Sequence, residues 1–208
     1  MKKVFIGTPI HQKKQYCLNT FFQCALSLDY DSFKILAVDN STNEQFIQTM
    51  KQQYTNEHIE FYHIHFDTDS KDGDLMHKRL VASYNYMRER FLQSDYDLFM
   101  TLECDVMIQH DGLKKLVDAN KEMIQGLYYP GFFNELEHGE GIVKIPDHRG
   151  LNGISLFTRR VIEKIEFRYD QNNLTGLQDA FFFTDAYNLK FESWLHKDVK
   201  AMHVPGWK

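Results

Sequence analysis

The feature that most constrains the fold is a regular alternation of short apolar runs with segments of helical periodicity in the first half of the chain. Apolar runs of strand length cover residues 4–8, 33–38, 59–66 and 96–102. Between these runs, residues 16–28, 44–54 and 75–92 are apolar at helical spacing. The resulting order, β-α-β-α-β-α-β with short connections, predicts an α/β domain with a parallel sheet and flanking helices. Ligands of such a sheet bind beyond the carboxyl ends of its strands, where this chain has polar residues.

The second half of the chain breaks this alternation. Helices are predicted over residues 111–122, 159–165 and 178–189, and extended segments over 125–130, 142–144, 153–157 and 201–204. Extended segments that follow one another without a crossover helix are typical of antiparallel or mixed strands. We therefore expect one domain over residues 1–208, in which a Rossmann-like, mostly parallel sheet gains mixed strands at one edge.

The composition excludes several classes of function. The chain has 208 residues, of which 43% are hydrophobic, and a net charge of −5. Without a long basic run, it does not fit a nucleic-acid binder, whose affinity depends on many phosphate contacts. Cys17, Cys24 and Cys104 form no Cys-x-x-Cys pair, so we expect reduced thiols. No N-terminal apolar run is long enough for a signal peptide or a transmembrane segment, and we therefore expect a cytoplasmic location.

The triplet Glu103-Cys104-Asp105 directly follows a buried apolar run. Residues two apart on an extended chain point to the same side, so the two carboxylates can face one target while Cys104 is a buried thiol. Carboxylate oxygens are the ligands that Mg²⁺ and Mn²⁺ prefer. The alternative interpretation is that these acidic residues only cap the next helix or face solvent.

Further motifs occur in a fixed order around this triplet. They are residues 5–9 (FIGTP), 38–41 (VDNS), 78–85 (KRLVASYN), 126–129 (GLYY), 152–159 (NGISLFTR), 178–187 (QDAFFFTDAY) and His203. This series covers nearly the whole chain and resembles the nucleotide-sugar glycosyltransferases of the GT-A fold, in particular their inverting, family-two-like group. The resemblance implies a GT-A-like domain with a nucleotide-binding half at residues 1–105 and an acceptor-binding half at residues 106–208.

The resemblance also implies a role for each candidate site residue. Asp179 corresponds to the catalytic base, and Asp105, His203 and Glu103 to the shell of a Mn²⁺ or Mg²⁺ ion. The residues that correspond to the nucleotide-sugar site, for a UDP-linked or GDP-linked donor, are Thr8, Pro9, Asp39, Lys78, Arg79, Glu103, Cys104 and Gly153. The expected reaction is transfer of a hexose to the hydroxyl of a glycan or other acceptor. Two positions depart from the family pattern, because Glu103 stands for an Asp and Gln178 for a Glu.

Other interpretations remain open at this point. A retaining transferase on the same scaffold would not use Asp179 as a base, and a non-catalytic nucleotide-binding or sugar-binding module would tolerate both departures. His63 and His65 lie on one face of a predicted strand and have no evident third metal ligand. The loop residues 147–149 (DHR) offer a clamp for an anionic group or a solvated loop, and Trp194 or Trp207 offers a stacking surface for a sugar. The sugar, the nucleotide, the acceptor and the oligomeric state do not follow from the sequence.

Overall fold

A computed structural model of the chain describes residues 1–68, 73–129, 136, 138–150, 153–170 and 178–204. Its strands are β1 (Val4–Ile10), β2 (Phe33–Asp39), β3 (Ile59–His63), β4 (Leu98–Leu102), β5 (Val106–Ile108), β6 (Met123–Tyr129), β7 (Ile142–Lys144), β8 (Ile154–Thr158) and β9 (Ser193–His203). Its helices are α1 (Gln15–Leu26), α2 (Glu44–Gln53), α3 (Gly73–Leu92), α4 (Gly112–Asp118), α5 (Arg159–Lys164) and α6 (Gln178–Asn188), with a 3-10 turn (Gln12–Lys14) before α1. Trp207 and part of the 152–159 motif lie outside the described residues.

These strands form one sheet in the order β3-β2-β1-β4-β8-β6-β9-β5, with β7 paired to β9. Strands β1 to β4 are mutually parallel, as the alternation in the first half predicts. Strand β8 then pairs antiparallel with β4 and β6, and β9 pairs parallel with β6. The predicted addition of mixed strands at one edge is therefore confirmed.

The helices cover both faces of the sheet, because consecutive residues of a strand point to opposite faces. On one face Val4 and Ile6 of β1 join a core that includes residues of α1, α2 and α4. On the other face Phe5 joins a core that includes residues of α3, α5 and α6. All five residues of β4 are buried, which explains why its sequence reads as a continuous apolar run rather than an alternating one.

The chain order creates a crevice between β1 and β4. From β1 the chain proceeds to β2 and β3 on one side and returns to form β4 on the other. Loops that leave β1 and β4 therefore diverge to opposite sides of the sheet. In open α/β sheets this switch point, at the carboxyl ends of the strands, is the usual place for a ligand.

Several element boundaries differ from the sequence predictions. The helix predicted over 111–122 ends at Asp118, because Asn120 adopts a left-handed backbone conformation (φ 49°) that stops helix propagation. Strand β5 is not predicted, since three residues carry too little periodicity to be recognised. In β9 the pairing with β6 jumps from His196 to Lys200, so residues 197–199 form a bulge inside one long strand, where the sequence predicts an extended segment only over 201–204.

The structure also bears on two general expectations from the sequence. The three cysteines are free thiols. None of the helices in the described part of the chain combines the length and the apolarity that a bilayer crossing requires.

Candidate functional site

A cavity of about 360 Å³ lies at the switch point, beyond the carboxyl ends of β1, β2 and β4. Its lining residues are Pro9, Ile10, His11, Lys13, Lys14, Asn40, Met76, Arg79, Leu80 and Glu103. Three of these side chains are cationic and one is acidic, so the charged groups of the lining favour an anionic ligand. The remaining surface is largely apolar, which strengthens each electrostatic contact by excluding water.

On the β1 side of the cavity, the strand extends beyond the apolar run predicted over residues 4–8. Strand β1 continues through Thr8 and Pro9 to Ile10, so Thr8 is a fully buried strand residue and, of these two, Pro9 alone lines the cavity. Proline is tolerated here because Pro9 lies past the last pair between β1 and β4, which joins Gly7 to Thr101.

One of the two adjacent cations of α3 faces the cavity. Arg79 is buried and lines the cavity, whereas Lys78 is exposed and is not part of the lining. The Nη1 atom of Arg79 lies 2.9 Å from Nε2 of His11, and its Nη2 atom donates to the carbonyl oxygen of Thr68. These contacts hold the guanidinium against His11, in the segment that follows β1, and against Thr68.

At the end of β2, Asp39 is fully buried and its carboxylate is engaged inside the protein. Oδ1 accepts from the backbone N and the Oγ of Ser41 at 3.0 and 2.6 Å, and Oδ2 lies 2.7 Å from Nδ1 of His63. Asp39 is thus held by Ser41 and His63, and its side chain has no exposed surface for a nucleotide base in this arrangement. The neighbouring Asn40, whose Nδ2 donates to Oγ of Ser83 at 3.0 Å, lines the cavity instead.

The sequence pattern predicts extended chain at the acidic triplet, but the triplet lies in a turn. The backbone N of Val106 donates to the carbonyl oxygen of Glu103 at 2.9 Å, so the chain turns here to enter β5. Glu103 consequently lines the cavity, while Asp105 is buried beside Lys14. The Cys104 side chain is completely buried in the core, as expected for a thiol, and offers a ligand no side-chain surface.

The side chains of Asp105 and His203 lie close together, although 98 residues separate them in the sequence. Strand β5 pairs antiparallel with β9, with Val106 opposite His203, and this register leaves Asp105 Oδ2 at 3.2 Å from Nε2 of His203. The same oxygen lies 2.7 Å from Nζ of Lys14. Oδ1 of Asp105 is buried and has no hydrogen-bond partner among the described residues, so this carboxylate has an oxygen available to a cation.

Glu103 is not part of the same tight group. It is not gathered with Asp105 and His203 within the 4.8 Å that would let three ligand atoms surround one ion. Burial raises the pKa of the Glu103 carboxyl, with a smaller contribution from the charge of Asp105. Burial opposes the charge on Lys14, but the surrounding groups, Glu103 and Asp105 among them, outweigh it and hold the pKa of the ammonium above its ordinary value.

Asp179, Tyr128 and Gly153, which come from the second half of the chain, lie near the acidic triplet. Asp179 is buried in the first turn of α6, where the helix dipole favours a carboxylate. Burial raises the pKa of Tyr128, and the charges of Glu103, Asp105 and Asp179 raise it further. The Tyr128 ring lies 5.6 Å from the ring of His203.

Gly153 connects this group to the turn after β4. Its carbonyl oxygen accepts from the backbone N of Glu103 at 3.0 Å. A Cβ atom at Gly153 would lie 3.3 Å from Cε2 of Tyr128, a closer contact than side chains normally make. The glycine thus lets the turn and the tyrosine approach each other.

The sequence analysis missed several residues of the site. Lys14, His11 and Asn40 line the cavity; His11 directly follows β1, and Asn40 lies within the 38–41 motif but was assigned no role. The pair Lys13-Lys14, a few residues after the first strand, was the available signal for a cationic wall. Nothing in the sequence separated Lys14, which contacts Asp105, from the exposed Lys13.

The strand order, the mixed edge and the switch-point site define a fold of the GT-A type, as the sequence analysis expected. No family model matches the chain, and no curated protein matches it either.

Among solved structures, the chain is similar to residues 1–349 of TarS from S. aureus in complex with UDP-GlcNAc, with a TM-score of 0.66 and 14% sequence identity. That match covers 100% of this chain and 60% of the TarS chain. The same TarS fragment in complex with UDP matches with a TM-score of 0.66 and 13% identity, over 98% of this chain and 61% of that one. A longer TarS structure matches at 0.64 and 12% identity, over 99% of this chain and 37% of that one. At this identity the similarity establishes the fold.

Proposed function

We propose that this protein is a glycosyltransferase that moves a sugar from a nucleoside diphosphate sugar to a hydroxyl acceptor. The observation that carries the proposal is the cationic cavity at the switch point of a GT-A type sheet, with Glu103 in its wall and the buried Asp105 adjacent to it. TarS structures of the same fold contain UDP-GlcNAc or UDP, which supports a UDP-linked donor as the first candidate.

The cations of the cavity suit the diphosphate of such a donor. Arg79 presents a planar guanidinium that can contact two phosphate oxygens, and Lys13 and Lys14 add two point charges. As the glycosidic bond to the sugar breaks, negative charge accumulates on the leaving diphosphate. Fixed positive charges next to that group stabilise the transition state more than the ground state.

Asp105 and His203 are the residues that would hold a divalent cation. The buried Oδ1 of Asp105, which has no partner among the described residues, and the adjacent imidazole of His203 provide one oxygen and one nitrogen ligand, a pair that fits Mn²⁺ better than the oxygen-preferring Mg²⁺. When bound, such an ion supplies a Lewis acid for the diphosphate oxygens. Lys14 neutralises the other oxygen of Asp105 at 2.7 Å and adds a permanent positive charge at the same place.

Asp179 is the residue we assign as the general base. An inverting transfer requires a carboxylate that accepts the proton of the acceptor hydroxyl while its oxygen attacks the anomeric carbon and the nucleoside diphosphate leaves. Asp179 is buried, and its charge acts on the same Tyr128 side chain as the charges of Glu103 and Asp105.

The test compares two aspartates of α6. We would measure UDP binding, and UDP release from UDP-GlcNAc in the presence of Mn²⁺, for the wild type, Asp179→Asn and Asp185→Asn. Asp185 is the matched control because it forms a surface ion pair with Arg168 at 2.7 Å. Loss of a general base lowers turnover by about 10²–10⁴-fold, and UDP binding should remain within about twofold.

The outcomes separate the candidate functions. Full turnover of Asp179→Asn would remove Asp179 from its assigned role. Retention of anomeric configuration in the product would point to a retaining transferase on the same fold. UDP binding without any turnover by the wild type would identify a non-catalytic nucleotide-binding module and overturn the proposed activity.

A further inference from the structure

A cluster of metal-ligating side chains lies outside the cavity, where β3 ends and α2 begins. His63 is the last residue of β3, His65 follows two residues later, and Glu44 is the first residue of α2. One ligand atom from each of these three side chains lies within 4.8 Å of the others. The sequence pattern showed the two histidines without a third ligand, and the fold supplies Glu44.

Each histidine of the cluster is oriented by a carboxylate on one ring nitrogen. Nδ1 of His63 lies 2.7 Å from Oδ2 of the buried Asp39, and Nε2 of His65 lies 3.1 Å from Oδ1 of Asp67. The other nitrogen of His65, Nδ1, lies 3.6 Å from Oε1 of Glu44. Carboxylates that hold the outer nitrogen of a ligating imidazole are a regular feature of metal sites, where they fix the tautomer and raise the basicity of the ligand.

The remaining nitrogen of His63 has no partner among the described residues. Nε2 is buried, and the side chain as a whole is 14% exposed. A buried polar atom without a partner is unfavourable, so an arrangement that leaves one is explained when the atom binds something else. Because Asp39 engages Nδ1, Nε2 is the nitrogen that His63 offers to a ligand.

We propose that Glu44, His63 and His65 bind a divalent transition metal of the Zn²⁺ class, with Asp39 and Asp67 as outer partners of the two imidazoles. Two imidazoles and one carboxylate form a ligand set typical of zinc, with water in the fourth position. Imidazole is a poor ligand for Mg²⁺, which prefers oxygen, so this site selects a different ion from the one that a diphosphate requires. The ion would tie the end of β3 to the start of α2. The proposal does not rest on the proposed transferase activity, since its test measures metal binding alone.

The experiment titrates the apo protein with ZnCl₂ by calorimetry and with CoCl₂ by visible absorption, which reports tetrahedral coordination. The variants are His65→Ala and Glu44→Gln, which alter exposed side chains and leave the buried Asp39–His63 pair in place. His110→Ala is the control because His110 is an exposed histidine outside the cluster. Asp105→Ala is a second control, because it removes a ligand of the separate metal site proposed at Asp105 and His203.

We expect a tight zinc site and tetrahedral Co²⁺ absorption in the wild type, His110→Ala and Asp105→Ala. His65→Ala and Glu44→Gln should each lower the zinc affinity by at least about tenfold, since even the loss of an outer partner costs about 10–100-fold. A wild type that binds no zinc would overturn the proposal. Loss of zinc binding in Asp105→Ala, with His65→Ala unchanged, would place the ion at Asp105 and overturn it equally.

Discussion

The ion pair between Lys14 and Asp105 allows a quantitative test of how this carboxylate is used. The substitution Lys14→Met removes the cation 2.7 Å from Oδ2 of Asp105 and leaves a carboxylate whose side chain is 5% exposed. Hydrogen bonds to charged groups contribute about 1.5–3 kcal/mol to stability. The Lys14 side chain is 38% exposed, and solvent screening weakens its ion pair with Asp105. We therefore expect the free energy of unfolding to fall by the lower limit of this range, about 1.5 kcal/mol. For a chain of this size such a loss lowers Tm by about 3–6 °C.

Addition of Mn²⁺ should raise the Tm of the wild type and of Lys14→Met by different amounts. In the proposed metal site, Lys14 of the wild type would compete with the ion for Asp105, whereas in Lys14→Met the whole carboxylate would be available to the metal. A ligand present at 100 times its Kd stabilises the folded state by about 2.7 kcal/mol, so tighter Mn²⁺ binding appears directly as a larger rise in Tm. We therefore expect Mn²⁺ alone to raise the Tm of Lys14→Met more than that of the wild type.

The assay is thermal unfolding followed by circular dichroism, with and without Mn²⁺, for the wild type, Lys14→Met and Lys13→Met. Lys13 is the matched control because it is the adjacent, exposed lysine of the same turn. Its variant should respond to Mn²⁺ like the wild type. Equal Mn²⁺ responses for all three proteins would refute the reasoning that Asp105 is a metal ligand in competition with Lys14.

Three further predictions concern packing, ligand binding and pH. Gly7→Ala should destabilise the fold by about 1–3 kcal/mol, because the new Cβ would lie 2.7 Å from Sδ of Met87. An unchanged midpoint of urea unfolding would contradict this, because it would show that the methionine moves aside at no cost. Arg79→Ala should weaken UDP binding by about 10–100-fold and Lys78→Ala by less than about twofold. The reason is that charged hydrogen bonds contribute about 1.5–3 kcal/mol and that, of these two residues, only the arginine lines the cavity. Equal UDP affinities of the two variants in calorimetry would contradict this. Burial lowers the pKa of His196 below 6.5, so as the pH drops below about 6.5 this imidazole is protonated in the unfolded chain before it is protonated in the folded one, and the free energy of unfolding falls. His196→Gln should reduce that fall between pH 7 and 5, which urea unfolding at the two pH values would reveal.

The parallel half of the fold was predictable because its information is local. The apolar runs of β1, β2 and β4 are almost entirely buried strands, β3 is half-buried, and the connections between elements are short. Strand β5 was not predictable, since its three residues are held by pairing with β9 almost a hundred residues later. The geometry of the acidic triplet depends on that same pairing, which turns the chain between Glu103 and Val106. An assumption of extended backbone therefore failed at the position where it mattered most for the site.

The candidate site was predictable only in part, for a related physical reason. Residue type and strand-end position sufficed to single out Asp105, and the resemblance to a known family added His203, whose side chain lies beside it. The partners that change the chemistry come from distant segments. Lys14 contacts Asp105 although 91 residues separate them in the sequence, and Glu44 completes a cluster that His63 and His65 alone could not form. No local pattern in the sequence encodes either contact.

The most direct test of the central claim is a thermal-shift comparison of UDP, GDP, CMP and their sugars, each with and without Mn²⁺, for the wild type and Asp105→Ala. A ligand that binds the folded state alone raises its apparent stability by mass action. The account predicts a stabilising shift with one nucleoside diphosphate class, larger with Mn²⁺, and loss of the Mn²⁺-dependent part in Asp105→Ala. The absence of any shift with every nucleotide, with and without Mn²⁺, would contradict it.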